Sequence, residues 1–267
     1  MKTFKKVLVQ NEELAAVIYD AGSSRGDVVL IHGFTGSKED FTEIAERISS
    51  SGFRVLTFDN RGQNESGHSS RVDAYLIDSL ARDVAELTDK FDLKSPHLLG
   101  HSFGGLVAQH VVLSFPNKWS SLTLLCSGPQ GREGWFREPE FELLGKFSMR
   151  ELWIQYLDEK RKSHPYYEIQ KKRWGLSDPR STLAFREQLF HQPSRIAELA
   201  ALPIPSHVIF GENDDAWPVN DQLEMATALS SEVTILENCG HCPNEDNPDL
   251  TAGELVRFWL KHHSLNL

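Results

Sequence analysis

Short apolar strands alternate with amphipathic helices along most of the chain, and this alternation constrains the fold more than any other feature. Strands that alternate with helices indicate a parallel arrangement, because a crossover helix must carry the chain back before the next parallel strand can start. The sequence therefore predicts an α/β fold with a mostly parallel central sheet and helices on both faces. The predicted strands are apolar runs at residues 14–19, 27–31, 55–58, 96–99, 122–126, 207–210 and 233–236.

The alternation is interrupted once, over residues 128–202. This segment has only helix-like stretches that are rich in charged and aromatic residues, and it is bounded by Pro129 and Pro203. An insertion of this kind into an α/β sheet is typical of a helical cap. We therefore predict a core formed by residues 1–127 and 203–267, with an inserted helical cap between the two parts.

Composition and charge exclude several classes of protein. The 267 residues are 40% hydrophobic and 25% charged, as expected for a globular protein with one large domain and an insertion. The net charge of −10 argues against binding to nucleic acids or anionic membranes. No apolar run approaches the roughly 18 residues that span a bilayer, and the first residues lack a signal-peptide pattern. We expect a cytoplasmic protein whose partner is a small-molecule substrate.

The three cysteines, Cys126, Cys239 and Cys242, make a poor disulfide framework, because their number is odd. Cys239 and Cys242 form a C-x-x-C pattern around His241, so a metal or redox site has to be considered. The chain has no second cysteine pair to complete a zinc site. We therefore predict no metal and no cofactor.

The motif G-x-S-x-G occurs at residues 100–104, with Ser102 at its centre, between a predicted strand and a predicted helix. At such a turn the motif is typical of a nucleophile elbow, where a serine lies at the tip of a strained bend. Glycines flank the serine because the strand and helix backbones approach closely there. A serine hydroxyl is a weak nucleophile, so it needs a base, and the base needs a group that orients it.

Candidates for the base and its partner follow the last two predicted strands. Asp214 and Asp215 lie in the stretch 211–218, and His241 follows the final strand. Open α/β sheets place ligands at the carboxyl ends of their strands, which brings these loops to the same edge as Ser102. The order serine, acid, histidine is also the order used on this type of sheet. The sequence therefore predicts a catalytic triad of Ser102, one of the two aspartates, and His241.

A glycine loop at residues 32–36 follows the strand 27–31 and is the candidate for an oxyanion hole. Acyl transfer builds a negatively charged oxygen, which fixed backbone N–H groups stabilise. On such a sheet one donor follows the nucleophile and the other lies in the loop after an early strand. We assign the N–H groups of Phe34 and Phe103, and we expect His32 to shape the loop by hydrogen bonds.

Taken together, the motifs HGFTG, FDNRG, GHSFGG, GENDDAWP and NCGHCP resemble, in this order, those of the α/β-hydrolase superfamily. The whole chain is similar to a capped, serine-nucleophile, esterase-like member, which implies the α/β-hydrolase fold. In such proteins the acid is commonly the aspartate of G-x-x-D-x-x-x-P, which implies Asp214, with Pro218 in place. The chain departs from the usual D-x-R-G-H-G-x-S, because Gln63 and Asn64 replace the histidine and the second glycine.

The resemblance implies hydrolysis of a carboxylic ester or lactone through an acyl-serine intermediate. Ser102 argues against haloalkane dehalogenases and epoxide hydrolases, which carry a carboxylate at the elbow. An aromatic-rich insertion suggests an apolar substrate pocket. The candidate substrate-binding residues are Trp135, Trp153 and Trp217.

Two alternatives remain open. Similar proteins with a serine triad hydrolyse carbon–carbon bonds in dioxo acids or eliminate pyruvate from a menaquinone precursor, and the opening HGFTGSKEDF is reminiscent of the latter group. These activities need cations that bind substrate carboxylates, for which the chain offers Arg61, Arg132, Arg137 and Arg173. The other alternative is a weakly catalytic ligand receptor that retains the triad.

Overall fold

A single sheet organises the molecule in the computed structural model, which describes residues 1–22, 25–132 and 139–262. Each of the seven predicted strands is present within a few residues, and one further strand precedes them. The strands are β1 Lys2–Val9, β2 Glu12–Tyr19, β3 Gly26–Ile31, β4 Phe53–Phe58, β5 His97–His101, β6 Ser121–Leu125, β7 Ser206–Gly211 and β8 Glu232–Leu236.

The strand order in the sheet is β1-β2-β4-β3-β5-β6-β7-β8. β2 pairs antiparallel with both β1 and β4, and every pair from β4 to β8 is parallel. This arrangement confirms the predicted α/β fold with a mostly parallel sheet.

Helices connect the parallel strands and cover both faces of the sheet. The α-helices are α1 Thr42–Ser50, α2 Ile77–Lys90, α3 Phe103–Ser114, α4 Pro139–Glu142, α5 Met149–Leu152, α6 Asp158–Arg161, α7 Tyr167–Leu176, α8 Pro179–His191, α9 Ile196–Ala200, α10 Val219–Leu229, α11 Pro243–Asp246 and α12 Pro248–His262. None of the helices in the described ranges is long and apolar enough to cross a bilayer.

The two helical layers follow from the strand order. The step from β3 to β4 runs toward the β1 edge, whereas the step from β4 to β5 crosses back over β3. Because such crossovers are right-handed, these opposite steps put α1 and α2 on opposite faces. α1 packs against α12, and α2 packs against α3. The core therefore lies in two layers, one on each side of the sheet.

The first strand, β1, is the part of the sheet that the sequence did not predict. It contains three lysines and most of its side chains are exposed, so it lacks the apolar run that marks the buried strands. A two-residue turn joins it to β2, with Gln10 and Asn11 at φ 46° and 69°. Positive φ at both residues suits a tight hairpin. Backbone pairing along all of β1 holds this edge strand in place.

Between β6 and β7 the structure describes the six α-helices α4 to α9 and a π-helix, Trp153–Leu157, which together we call the helical insertion. Its first half has a small apolar cluster of its own, whereas Phe185 of α8 and Leu199 of α9 join the main core. The aromatic residues Phe141, Trp153, Trp174 and Phe185 of the insertion thus have a packing role. The cluster consists of Phe141, Leu144, Met149, Leu152, Trp153, Leu157 and Trp174.

Gln63 and Asn64, which depart from the family pattern, tie the core to the helical insertion. The Gln63 side chain donates to Ser181 Oγ at 2.9 Å, and the Asn64 backbone N–H donates to Ser177 Oγ at 3.0 Å. The Asn64 side chain donates to Asp59 Oδ2 at 3.1 Å. Both residues are buried, so these hydrogen bonds satisfy groups that would otherwise be costly to bury. The departure therefore belongs to the joint between the core and the insertion.

Candidate active site

Ser102 lies on the sharp turn between β5 and α3, with φ 54° and ψ −119°. A positive φ is strained for a residue with a side chain, so the surroundings must hold it. A Cβ atom on Gly100 would come within 2.2 Å of Gly104 O, and one on Gly104 within 2.3 Å of Ile31 O. Because these obstacles are backbone atoms, only glycine fits on either side of the serine. The motif therefore presents Ser102 on a rigid bend.

The structure brings Ser102, His241 and Asp214 together. The Ser102 hydroxyl lies 3.0 Å from His241 Nε2, and His241 Nδ1 lies 2.9 Å from Asp214 Oδ1. An ionised carboxylate only accepts hydrogen bonds, so Nδ1–H donates to Asp214 and Nε2 accepts from the hydroxyl. Asp215, the other sequence candidate, is exposed, and the carboxylate that His241 Nδ1 contacts is that of Asp214.

Asp214 is held by several donors in addition to His241. Its Oδ1 accepts the backbone N–H groups of Ala216 at 2.9 Å and Trp217 at 3.1 Å, and its Oδ2 accepts the Gln222 side-chain amide at 3.0 Å. Burial raises the pKa of the Asp214 carboxyl, but the hydrogen bonds from His241 and the two backbone groups outweigh it, so that the pKa lies below its ordinary value. Asp214 is therefore ionised at neutral pH and can orient an imidazole.

Gln222 and His101 are two supporting residues that the sequence analysis missed. Gln222 lies in α10, eight residues after Asp214, and no local pattern marks it. His101 precedes Ser102, and its Nε2–H donates to the backbone oxygen of His241 at 2.8 Å. Burial lowers the pKa of His101 to about 4, so the ring is neutral. His101 thus joins the elbow to the loop that carries His241.

The loop at residues 33–36 lines the same cavity as Ser102. His32 Nδ1–H donates to Gly33 O at 2.8 Å, and His32 Nε2 accepts the Asn60 N–H at 3.0 Å. Burial lowers the pKa of His32 to about 4, which keeps the ring neutral in this bridging position. His32 therefore has the hydrogen bonds of a residue that shapes the loop.

The two expected oxyanion donors belong to the loop at residues 33–36, which lines the cavity of Ser102, and to the first residue of α3. Phe34 follows Gly33 in the loop, and its ring packs 5.4 Å from that of Phe141. Phe103 is the first residue of α3, so its N–H has no acceptor within the helix and points out of the helix start. The helix start is also its positive end, which favours a developing negative charge beside Ser102.

A cavity of about 260 Å³ contains Ser102 and His241. One of the three tryptophan candidates, Trp153, lines it. Trp217 lies in the main core, where its ring fills the space that a side chain on Gly128 would occupy. Trp135 lies outside the described residues. The apolar part of the lining is formed by Phe34, Phe141, Trp153, Leu157 and Trp174.

The arginine candidates lie in different places. Arg173 lines the cavity and forms an ion pair with Asp40. Arg61 is paired with Asp83 in the core, and Arg132 lies 4.0 Å from Asp221 outside the cavity lining. Arg137 lies outside the described residues. Arg161, which the sequence analysis did not select, is a second arginine of the cavity.

One set of side chains in the described part of the chain has the spacing of metal ligands. The ligand atoms of Cys126, Asp214 and His241 lie within 4.8 Å of one another. Burial, together with the nearby Asp214 charge, raises the pKa of the Cys126 thiol well above its ordinary value. Metals bind the thiolate, so this environment disfavours Cys126 as a ligand. The arrangement suits a hydrogen-bonded acid–histidine pair better than a metal site.

A family model of the alpha/beta hydrolase fold matches residues 27–248. The chain belongs to this family, which confirms the resemblance that its motifs predicted. It is 27% identical to a 2-hydroxy-6-oxononadienedioate/2-hydroxy-6-oxononatrienedioate hydrolase from Pseudomonas putida, over 98% of both chains. It is 25% identical to a candidate 2-succinyl-6-hydroxy-2,4-cyclohexadiene-1-carboxylate synthase from Bacillus subtilis, over 91% of this chain and 93% of the relative.

The fold is also shared with solved structures. The enol-lactonase from Burkholderia xenovorans superposes with a TM-score of 0.81 at 20% sequence identity, and the superposition covers 95% of this chain and 99% of that one. At this level of identity the likeness is one of fold. Substrate class has to be argued from the cavity of this chain.

Proposed function

We propose that the protein is a serine hydrolase that cleaves the carboxylic ester or lactone bond of a small, partly apolar substrate. The observation that carries the proposal is the hydrogen-bond chain from Ser102 through His241 to Asp214 inside an aromatic-lined cavity. Membership of the alpha/beta hydrolase fold family supports a hydrolase. The small cavity volume of about 260 Å³ favours a small substrate over a long-chain lipid.

In the proposed mechanism Ser102 Oγ attacks the substrate carbonyl while His241 Nε2 takes its proton. Asp214 holds the His241 ring in position and stabilises its charged form. The N–H groups of Phe34 and Phe103 bind the oxyanion, and removal of one such donor typically costs about 10²–10³-fold in rate. His241 then returns the proton to the leaving alcohol, and water hydrolyses the acyl-serine by the same route.

The helical insertion would act as the cap over this site. Its side chains supply the aromatic part of the cavity lining, and Ser102 is only 4% exposed beneath it. The boundaries 128–202 for the cap, like the cytoplasmic location, remain predictions. The cap would exclude bulk water from the oxyanion and set the size of the acyl group.

The test is hydrolysis of nitrophenyl esters of increasing acyl length and of simple lactones, beside the variant Ser102→Ala. We expect turnover by the wild type that falls by at least about 10³-fold in the variant, because the nucleophile is lost. Binding of a substrate-sized ligand to the variant, measured by thermal shift, shows that its fold is intact. If the variant keeps more than a few per cent of the activity, Ser102 is not the nucleophile.

A second candidate function is hydrolysis of a carbon–carbon bond in a carboxylate-bearing substrate. Arg161 and Arg173 line the cavity. The Pseudomonas putida relative carries the name of a 2-hydroxy-6-oxononadienedioate hydrolase, whose substrate bears two carboxylates. However, the Arg173 guanidinium is already paired with Asp40, so that of the two arginines in the described cavity lining Arg161 is the one without an ion-pair partner. This function would be favoured if the wild type turns over a 2-hydroxy-6-oxo dienoic acid and does not hydrolyse nitrophenyl esters.

A further inference from the structure

Two carboxyl groups of the cavity lining take no part in the hydrogen-bond chain of the nucleophile, and one of them, Asp40, is paired with Arg173. Glu245 lies in α11, four residues after His241, and lines the cavity that contains Ser102. Among the residues that the structure describes, its carboxylate has neither a hydrogen-bond partner nor an ion-pair partner. A half-buried carboxylate in the wall of a cavity is open to hydrogen bonds from a ligand.

The neighbouring residue supplies a second acceptor that is independent of this charge. Asn244 is only 1% exposed and also lines the cavity. Its Nδ2 donates to the backbone oxygen of Asp40 at 2.8 Å, which leaves Oδ1 as an acceptor. That Oδ1 atom is buried and has no partner in the described structure. Two neighbouring residues of the cavity lining therefore carry acceptors that have no protein partner among the described residues.

The nearby cations do not satisfy Glu245. Arg173 is paired with Asp40, and Arg161 lies beyond ion-pair distance of Glu245. Burial and, to a smaller extent, the negative charge of Asp40 raise the pKa of Glu245 to about 7, despite the opposing charge of Arg173. The Glu245 carboxylate and Asn244 Oδ1 therefore keep acceptor positions that no described residue fills.

We propose that Asn244 and Glu245 form a subsite for a hydrogen-bond donor on the substrate, either a hydroxyl or an ammonium group. The inference rests on the proposed function, since it concerns the substrate that reacts at Ser102. The substrate class is thus a small ester or lactone that has an apolar body and a hydroxyl or amino substituent. The aromatic side chains of the insertion hold the apolar body. Glu245 determines specificity and takes no part in bond cleavage.

The test compares three probes of the same shape: benzylammonium, benzyl alcohol and benzoate. Each is used as a competitive inhibitor of nitrophenyl acetate hydrolysis at pH 8 and constant ionic strength, with the wild type, Glu245→Gln and Glu237→Gln. The control Glu237 is exposed and lies outside the cavity lining, so its substitution removes the same charge elsewhere. Thermal shifts with Ser102→Ala measure binding of the same probes without turnover. If the wild type does not hydrolyse esters, the proposed function is refuted, and the thermal shifts still test the subsite.

We expect the tighter of the two donor probes to bind at least tenfold more strongly than benzoate to the wild type. Glu245→Gln should weaken that probe at least tenfold, and Glu237→Gln should leave it within twofold. Stronger binding of benzylammonium would identify an ammonium site, whereas stronger binding of benzyl alcohol would identify a hydroxyl site. The proposal is overturned if benzoate binds to the wild type more tightly than both donor probes. It is also overturned if Glu245→Gln binds both donor probes as tightly as the wild type does.

Discussion

Replacing Glu245 by Gln should stabilise the protein at alkaline pH much more than at acidic pH. The pKa of this carboxyl rises from 4.5 to about 7 in the folded protein, mainly because burial disfavours the charge and Asp40 repels it. Between these two values the folded state holds a proton that the unfolded state releases. The free energy of unfolding of the wild type therefore falls as the pH rises through this window. Glutamine has no charge to lose, so the variant avoids this loss.

The size of the effect follows from the pKa shift. One pKa unit corresponds to about 1.4 kcal/mol, so the full shift would cost the wild type about 3.4 kcal/mol above pH 8. The carboxyl is only partly buried, and solvent screening reduces the cost. We therefore expect the advantage of Glu245→Gln to grow by about 1–2 kcal/mol between pH 5 and pH 8.5.

The assay is urea unfolding of the wild type, Glu245→Gln and Glu237→Gln at both pH values. Other buried carboxyls with raised pKa values, such as Asp59 and Asp83, titrate in all three proteins and cancel in the difference. An advantage of Glu245→Gln that is equal at the two pH values would refute the reasoning. The reasoning would also be refuted if the exposed control, Glu237→Gln, gained the same pH-dependent free energy of unfolding, because that gain would come from net charge alone.

Three further predictions, two of them with a control substitution, concern the site and the joint between core and insertion. Asp214→Asn should lower kcat by about 10²–10⁴-fold, because the amide no longer selects the reactive His241 tautomer. Asp215→Asn should have little effect. If ester kinetics show the larger loss in Asp215→Asn, the acid of the triad is Asp215. Gly104→Ala should abolish folding or cost more than about 3 kcal/mol in urea unfolding, because the added Cβ meets backbone at 2.3 Å. Gly253→Ala in α12, with open space around it, should instead add about 0.5–1 kcal/mol; equal effects at the two glycines would contradict the close packing at the elbow. Gln63→Ala should lower the free energy of unfolding by about 1–3 kcal/mol, because it leaves the hydroxyls of the insertion without their buried donor; an unchanged unfolding midpoint would show that this joint contributes nothing.

The joint between core and insertion shows how a departure from a motif acquires meaning only in the folded chain. Gln63 and Asn64 are more than 110 residues from the serines that they contact. The sequence shows that the usual histidine and glycine are replaced, but it does not show what the new side chains reach. Because such contacts depend on where a distant helix lies, only the tertiary structure identifies them.

Much of the architecture was predictable because its signals are local. A buried strand is a short apolar run, and a helix on a sheet has apolar residues at a fixed spacing, so β2 to β8 and the main helices are visible in the sequence. β1 was not visible, because an edge strand with exposed side chains has no such pattern. Its stability comes from backbone pairing with β2, which any side chains allow.

For the candidate site, the sequence by itself determined which strand ends carry the reactive groups. Parallel strands end at one edge, so Ser102 and His241 were expected to be neighbours. The family pattern G-x-x-D-x-x-x-P had already favoured Asp214 over Asp215, and the contact with His241 agrees with it. Only the tertiary structure decided the distances, the place of Trp217 in the core and the absence of a protein partner for Asn244 Oδ1 among the described residues. The physical reason is that direction, burial and charge balance of a side chain depend on residues far away in the chain, which no local pattern records.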